Sequence, residues 1–328
     1  MIPMSEHLAS NWSTDWAHPA DEAELLELFT AAFGSDMHPE LWRWKYAGTD
    51  PIGVLVRREN RPVAFYGTLP RAISFFGAPT MAVQIGDVMV HPNERGVLTR
   101  KGPFFLAASY FWHHCLGTGK PYAFAFGFPS ERPYRVGERL GFYTNLGEIS
   151  RVGWPALKAG PNPLLRVRSW DATMGAAADQ IWADMLAAMS QHIVGVRDFA
   201  YLQHRYLEHP TVDYKIYVVS TRLVGKPFAI IVVRDDGEEL ELVDLIAPPA
   251  RLEALVKIVR RLAFNLGKTK AYTWITSSHA ALFAGDSGVV SPTGIVITVF
   301  NSANPSEGTP PAEIRGRTWM MTGDMDFR

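Results

Sequence analysis

The stretch from Ile85 to Gly102 constrains the fold more than any other part of the chain. The apolar, β-branched run Val83 to Val90 reads as a strand. His91-Pro92 ends it, because proline has no N–H to give to a ladder. A polar loop follows, carrying two glycines and three cations: Arg95, Gly96, Arg100, Lys101 and Gly102. Pro103, a favoured first helical residue, then opens the apolar segment Phe104 to Cys115. Strand, Gly/Arg loop and helix start together aim free backbone N–H groups and a helix dipole at one place, which suits a phosphate or pyrophosphate. An ordinary basic surface turn is the alternative. The chain has neither G-x-G-x-x-G nor G-x-x-x-x-G-K-[ST], so the two common nucleotide loops are set aside.

At 328 residues the chain is long for one domain and comfortable for two. With 47% hydrophobic and 20% charged residues it has enough apolar material for a packed core, which excludes disorder as a whole. Lys+Arg of 32 against Asp+Glu of 33 leaves a net charge of −1, so there is no electrostatic case for nucleic acid or an anionic membrane. A single cysteine, Cys115, cannot form an internal disulfide and points to a reducing compartment. Met1 to Trp16 lacks a signal-peptide core, and no apolar run approaches the ~20 residues that span a bilayer. The expectation is a soluble, cytoplasmic protein.

Asp21 to Phe33 has helical apolar spacing and closes at Gly34, and Pro39 to Tyr46 is a short second helix carrying Trp42, Trp44 and Tyr46. Val54 to Arg58 and Val63 to Leu69 flank Asn60-Arg61-Pro62 as a hairpin. Arg71 to Phe76 turns at Gly77-Ala78-Pro79 into the strand that ends at Val90. Beyond the helix, Tyr122 to Phe128 reads as a buried strand and Glu131 to Arg139 as a short helix before Gly141-Phe142.

This order, together with His91-Pro92, Arg95 and Gly96-Val97-Leu98-Thr99-Arg100, resembles the GNAT N-acetyltransferases, and within them most the Eis-type branch. The resemblance covers most of residues 20 to 150. It implies acetyl-CoA, or another acyl-CoA, as cofactor and transfer of the acyl group to a primary amine on a small molecule or peptide. The implied cofactor-binding residues are Met89 and Val90 for the thioester, then Arg95, Gly96, Val97, Leu98, Thr99, Arg100, Lys101 and Gly102 for the phosphates. The loop departs from the family pattern in having fewer residues between the proline and Gly96.

Landmarks of this half recur further on in the same order. His204-Arg205-Tyr206 matches Trp44-Lys45-Tyr46, Asp244-Leu245 matches Asp87-Val88, Pro249 matches Pro92 and Gly288 matches Gly141. After Pro249, however, Ala250 to Val256 enters a helix with no glycine and no basic loop, so this copy is expected to have lost a phosphate site. The expected organisation is α/β (α+β), with two GNAT-like domains, each a mixed, mostly antiparallel sheet flanked by helices. Residues 1–152 are the acyl-CoA-binding catalytic domain, 153–169 a linker rich in proline and glycine, and 170–328 a degenerate second domain. The tail Trp319 to Phe327 reads as a terminal strand. A homodimer is left open.

Aminolysis of a thioester needs a neutral amine, donors for the oxyanion and a proton for the leaving thiolate. Asp87, a carboxylate inside an apolar strand, is the first candidate base, with pairing to an Arg or capping of a loop as the alternative. Glu131, in Pro129-Ser130-Glu131, is the second, since the Eis-type branch has a similar Ser-Glu, and His91 the third. The family's usual acid is a tyrosine four residues before Gly-Phe. That position is Gly137 here, so Tyr134 is the preferred substitute and Tyr143 the other choice. Cys115 reads as core rather than nucleophile. Trp42, Trp44 and Tyr46 either line an amine pocket or anchor their helix on the sheet. His113-His114 are adjacent and face apart, so no zinc site is expected. A non-catalytic CoA-binding or interaction protein is the alternative function.

Overall fold

The computed structural model describes residues 12–95, 100–117, 119–158, 160, 162–285, 287–300 and 309–326. The first half runs β1 (Trp12–Ala17), α1 (Glu22–Phe33), α2 (Pro39–Lys45), β2 (Gly53–Arg58), β3 (Arg61–Phe75), β4 (Ala78–Val90), α3 (Pro103–Cys115), β5 (Ala125–Gly127), α4 (Glu131–Arg139) and β6 (Thr144–Pro155). The second runs β7 (Leu165–Ser169), α5 (Gly175–Ala188), β8 (Ile193–Gly195), α6 (Phe199–Leu202), β9 (Lys215–Thr221), β10 (Pro227–Asp236), β11 (Glu239–Ile246), α7 (Leu252–Asn265), β12 (Lys270–Thr276), α8 (Ala280–Ala284) and β13 (Val289–Phe300). With β8 set aside, the two halves repeat one order of elements. The helix α9 (Pro311–Ile314) and the short strand β14 (Thr318–Trp319) follow.

All strands join one sheet, ordered β1-β2-β3-β4-β5-β13-β6-β12-β11-β10-β9-β7, mostly antiparallel and flanked by helices. The order is a palindrome with an exchange at its centre. β6, which follows α4 of the first half, pairs with β12, while β13, which follows α8 of the second, pairs with β5. Each half therefore completes its sheet with the other's last strand. Of the expected linker 153–169, Gly153–Pro155 complete β6 and Leu165–Ser169 form β7, which pairs with β9. Both ends of the stretch are therefore built into the sheet.

The local chemistry explains the elements. Gly34 adopts a left-handed conformation (φ 75°) and closes α1 with its N–H on the Thr30 carbonyl. Phe76 and Gly77, at φ 51° and 87°, make the two-residue turn between β3 and β4. Val63 to Leu69 and Arg71 to Phe76 are one strand rather than two. Pro70 is tolerated inside it because β2 stops opposite Gly67 and β8 begins opposite Ile73, so the missing N–H faces a gap. α1 and α2 bury Leu25, Leu28 and Trp42 on one face of the first-half sheet, against Leu55, Phe65 and Met89. α3 buries Ala107, Ala108 and Phe111 on the other, against Val54, Val56 and Tyr66. Truncating one of these large side chains costs about 3–5 kcal/mol in comparable cores.

Candidate active site

β4 and β5 run parallel but pair only from Val83↔Ala125 to Ile85↔Gly127. β4 then continues to Val90 while the chain beyond β5 turns away through Phe128 and Pro129. A cavity of about 870 Å³ opens in this splay. α1 and α2 wall it on one side, and the start of α3 with α4 on the other.

The β3–β4 register slips between Phe65↔Met89 and Gly67↔Gly86, so Asp87 and Val88 together oppose Tyr66. This is a β-bulge, and Asp87 sits at φ 47°, a region that aspartate tolerates better than most residues. The bulge aims the carboxylate at α2. Asp87 accepts from Lys45 Nζ at 2.8 Å and from the Tyr46 hydroxyl at 2.8 Å. Lys45 Nζ also lies 2.9 Å from Asp326, which accepts from Gln84 Nε2 at 2.8 Å. Gln84 Oε1 in turn accepts from Arg71 at 2.8 Å. The Lys45 side chain is 6% exposed and both carboxylates 8%. Burial works against the charge on Lys45, but the carboxylates of Asp326 and Asp87 outweigh it and raise its pKa. Burial, and then the Asp87 charge, push the Tyr46 phenol well above its usual value.

Asp326 is the residue that the sequence reading missed. It belongs to the tail expected to be a strand. Only Thr318–Trp319 pair as one, after which Thr322–Asp324 form a 3-10 turn and Asp326 enters the first-half cavity. The only local signal was a carboxylate next to Met325 and Phe327 in an apolar tail.

Tyr143 packs against Gly137, the position where the family pattern would have a tyrosine. A Cβ on Gly137 would lie 2.1 Å from Cδ2 of the Tyr143 ring, so the missing side chain leaves room for this ring. Tyr143 lines the cavity, is buried and hydrogen-bonds Tyr66, and burial pushes its pKa far up. Tyr134 is outside the cavity lining and donates to Glu138, and its pKa is raised to about 12, by burial first and then by that carboxylate. Glu131 is 72% exposed, ion-paired to Arg135 and likewise outside the cavity. Neither is brought together with Asp87.

Among the cofactor-binding candidates, the His91 N–H donates to Val63 O at 2.8 Å. By strand alternation the Met89 N–H then faces its partner Phe65, and the Val90 N–H faces the open side of the splay. The Met89 side chain is buried under α1 and α2. Arg95 lines the cavity, but its guanidinium donates to Val90 O at 2.9 Å and to Ala32 O, tying β4 to the end of α1. Arg100 and Lys101 are exposed, and Gly102 is buried at the start of α3. Gly96, Val97, Leu98 and Thr99 lie outside the described residues. Of the three aromatics, Trp42 anchors α2 against Tyr46 and Phe65. Trp44 donates to His204 O at 2.8 Å and packs on His204 and His209 of the second half.

The second half keeps the pair but closes the opening. The Tyr206 hydroxyl donates to Asp244 at 2.8 Å, as Tyr46 does to Asp87. Asp244 is fully buried and paired with Arg197 at 2.9 Å. β11 and β12 part after Leu242↔Thr273, and the tail fills the gap. Met320 and Thr276 exchange hydrogen bonds of 2.9 and 3.0 Å, and Met321 bridges Ile275. Arg205, in the position of Lys45, donates to the carbonyls of Gly323 and Met325 at 3.0 and 3.3 Å. Among the described residues no helix is long and apolar enough to cross a membrane.

Residues 16–144 match the family model of an acetyltransferase (GNAT) domain. No curated protein matches the sequence significantly. A GCN5-related N-acetyltransferase from Anabaena variabilis superposes with a TM-score of 0.66 at 13% identity, over 88% of this chain and 72% of that one. A conserved protein of unknown function from Enterococcus faecalis, described as a probable N-acyltransferase, gives the same values. Saccharomyces cerevisiae N-myristoyltransferase with bound myristoyl-CoA superposes with a TM-score of 0.57 at 12% identity, over 95% of this chain and 85% of that one. The chain therefore has a GNAT-like fold, and its residues 16–144 are similar to the GNAT acetyltransferase domain.

Proposed function

We propose that the chain is an acyl-CoA-dependent N-acyltransferase. Its first half is the active one, its acceptor is a primary amine, and its second half is a degenerate copy of the first. One observation carries this reading: the β4–β5 splay holds a cavity with a carboxylate pair on one wall and a buried tyrosine on the other, whereas the matching gap in the second half is filled by the tail. Acyl-CoA, with acetyl-CoA as the first choice, supplies the thioester whose C–S bond breaks as the C–N bond to the amine forms. The fit rests on the Val90 N–H, which β5 does not use, and on Arg95 and Arg132, cations in the cavity wall. A structural neighbour of the same fold binds myristoyl-CoA.

The roles follow from position. Val90 donates its N–H to the carbonyl oxygen as charge develops there. Asp326 and Asp87, bridged by Lys45, take the proton that the attacking amine loses. Tyr143, whose phenol burial keeps protonated, gives a proton to the departing sulfur. Lys45 positions the two carboxylates and stays charged between them.

The test is release of free thiol from acetyl-CoA with a panel of primary amines, alongside CoA binding by calorimetry. Amine-dependent release that falls with Tyr143→Phe supports the reading. Binding without release would make the protein a CoA-binding module, and no binding at millimolar CoA would remove the reading altogether.

A further inference from the structure

One wall of the cavity is unlike the ionised cluster at its centre. Phe29, Phe33, Met37, Leu41 and Val212 line it, contributed by α1, the α1–α2 connection, α2 and the turn before β9. Phe33 is 51% exposed, with its ring 4.6 Å from that of Phe29 at the mouth. An apolar wall left open to water is what a partly apolar ligand would cover.

The charges point the same way. Around the centre, Lys45 bridges Asp87 and Asp326 and Arg197 pairs with Asp244 and Asp324, while two further buried cations, Arg71 and Arg205, donate to Gln84 and to the carbonyls of Gly323 and Met325. Glu94, also in the wall, is paired with Arg58. The network therefore presents no net negative field to draw in a polycation. His209 adds no charge at neutral pH. Its Nδ1 accepts the N–H groups of Thr211 and Val212 at 3.3 and 3.2 Å, and burial, then Arg205, push its pKa down to about 4.

We propose that the acceptor is a monoamine with a large apolar substituent, aromatic or medium-chain aliphatic, whose tail lies against Phe29, Phe33, Met37, Leu41 and Val212 while its nitrogen reaches Asp87 and Asp326. This rests on the acyltransferase reading above. The second half then contributes Val212 and His209 to acceptor choice.

The experiment compares kcat/KM for octylamine and phenethylamine with that for ethanolamine and spermidine, acetyl-CoA being saturating, in the wild type and in Phe33→Asp. The expected result is a preference of at least tenfold for the apolar amines, of the size that a few buried methylenes give, and its collapse in Phe33→Asp. Equal or better use of ethanolamine or spermidine overturns the proposal while leaving acyl transfer intact. A preference for octanoyl-CoA over acetyl-CoA that Phe33→Asp abolishes also overturns it, because the wall would then hold the acyl chain. Amine-independent thiol release would overturn both this proposal and the transferase reading.

Discussion

Gly137→Ala tests whether Tyr143 has taken the place of the absent helical tyrosine. In an ordinary helix this change stabilises by about 1 kcal/mol, since alanine is the better helix former. Here the new Cβ would lie 2.1, 2.3 and 2.6 Å from Cδ2, Cε2 and Cγ of the Tyr143 ring. Carbon atoms rest at about 3.5–4.0 Å, so the ring must move by more than ~1 Å. It is buried, with Phe104 edge-on at 6.3 Å. Overpacking of this kind costs about 1–3 kcal/mol and here belongs at or above the upper end. The net expectation is a loss of about 2 kcal/mol, read as a lower urea midpoint at unchanged slope. The displaced hydroxyl should also lower kcat in the acetyl-transfer assay. Adding Tyr143→Ala removes the obstacle, so in that background Gly137→Ala should stabilise by about 1 kcal/mol, a coupling of about 3 kcal/mol. A Gly137→Ala protein as stable and as active as the wild type would refute the reasoning.

Lys45→Met strands two buried carboxylates and should cost about 3 kcal/mol at neutral pH. Because the folded Lys45 pKa lies above 10.5, its contribution is whole below that pH and fades as pH rises through the folded value, so wild-type and variant urea midpoints should converge in alkali. Asp326→Asn, nearly isosteric, should lower kcat by about 10²–10⁴ if this carboxylate takes the amine proton; an unchanged pH–rate profile would leave that role to Asp87 alone. Met321→Ala empties part of the plugged second-half gap and should cost about 2–5 kcal/mol in a denaturation series.

The first-half helices and the strands β2 and β4 could be read from spacing, because amphipathic period, Pro39 and Pro103 at helix starts and Gly34 at a helix end are local signals. Of the recurring landmarks, Tyr46/Asp87 and Tyr206/Asp244 make the same bond in both halves. What stayed hidden was non-local. β6 and β13 exchange partners, and nothing in either strand says which neighbour it will take. The proline-rich segment before β7 suggested a spacer, yet Leu165–Ser169 pair with β9. At the site, Asp87 was found because a carboxylate in an apolar strand is anomalous on its face. The preference for Tyr134 rests on its helix beginning where the cofactor sulfur should sit, whereas the room that Gly137 leaves for Tyr143 exists only in three dimensions. Asp326 reaches the cavity through a tail whose path depends on Arg205 and Met321, far away in sequence.

Calorimetric titration of the intact chain with acetyl-CoA tests the central claim most directly, comparing wild type with Val90→Pro, which deletes an N–H facing the β4–β5 opening. The account predicts one site per chain, with at least tenfold weaker binding in the variant. Two sites per chain, or equal affinity in both proteins, would contradict it.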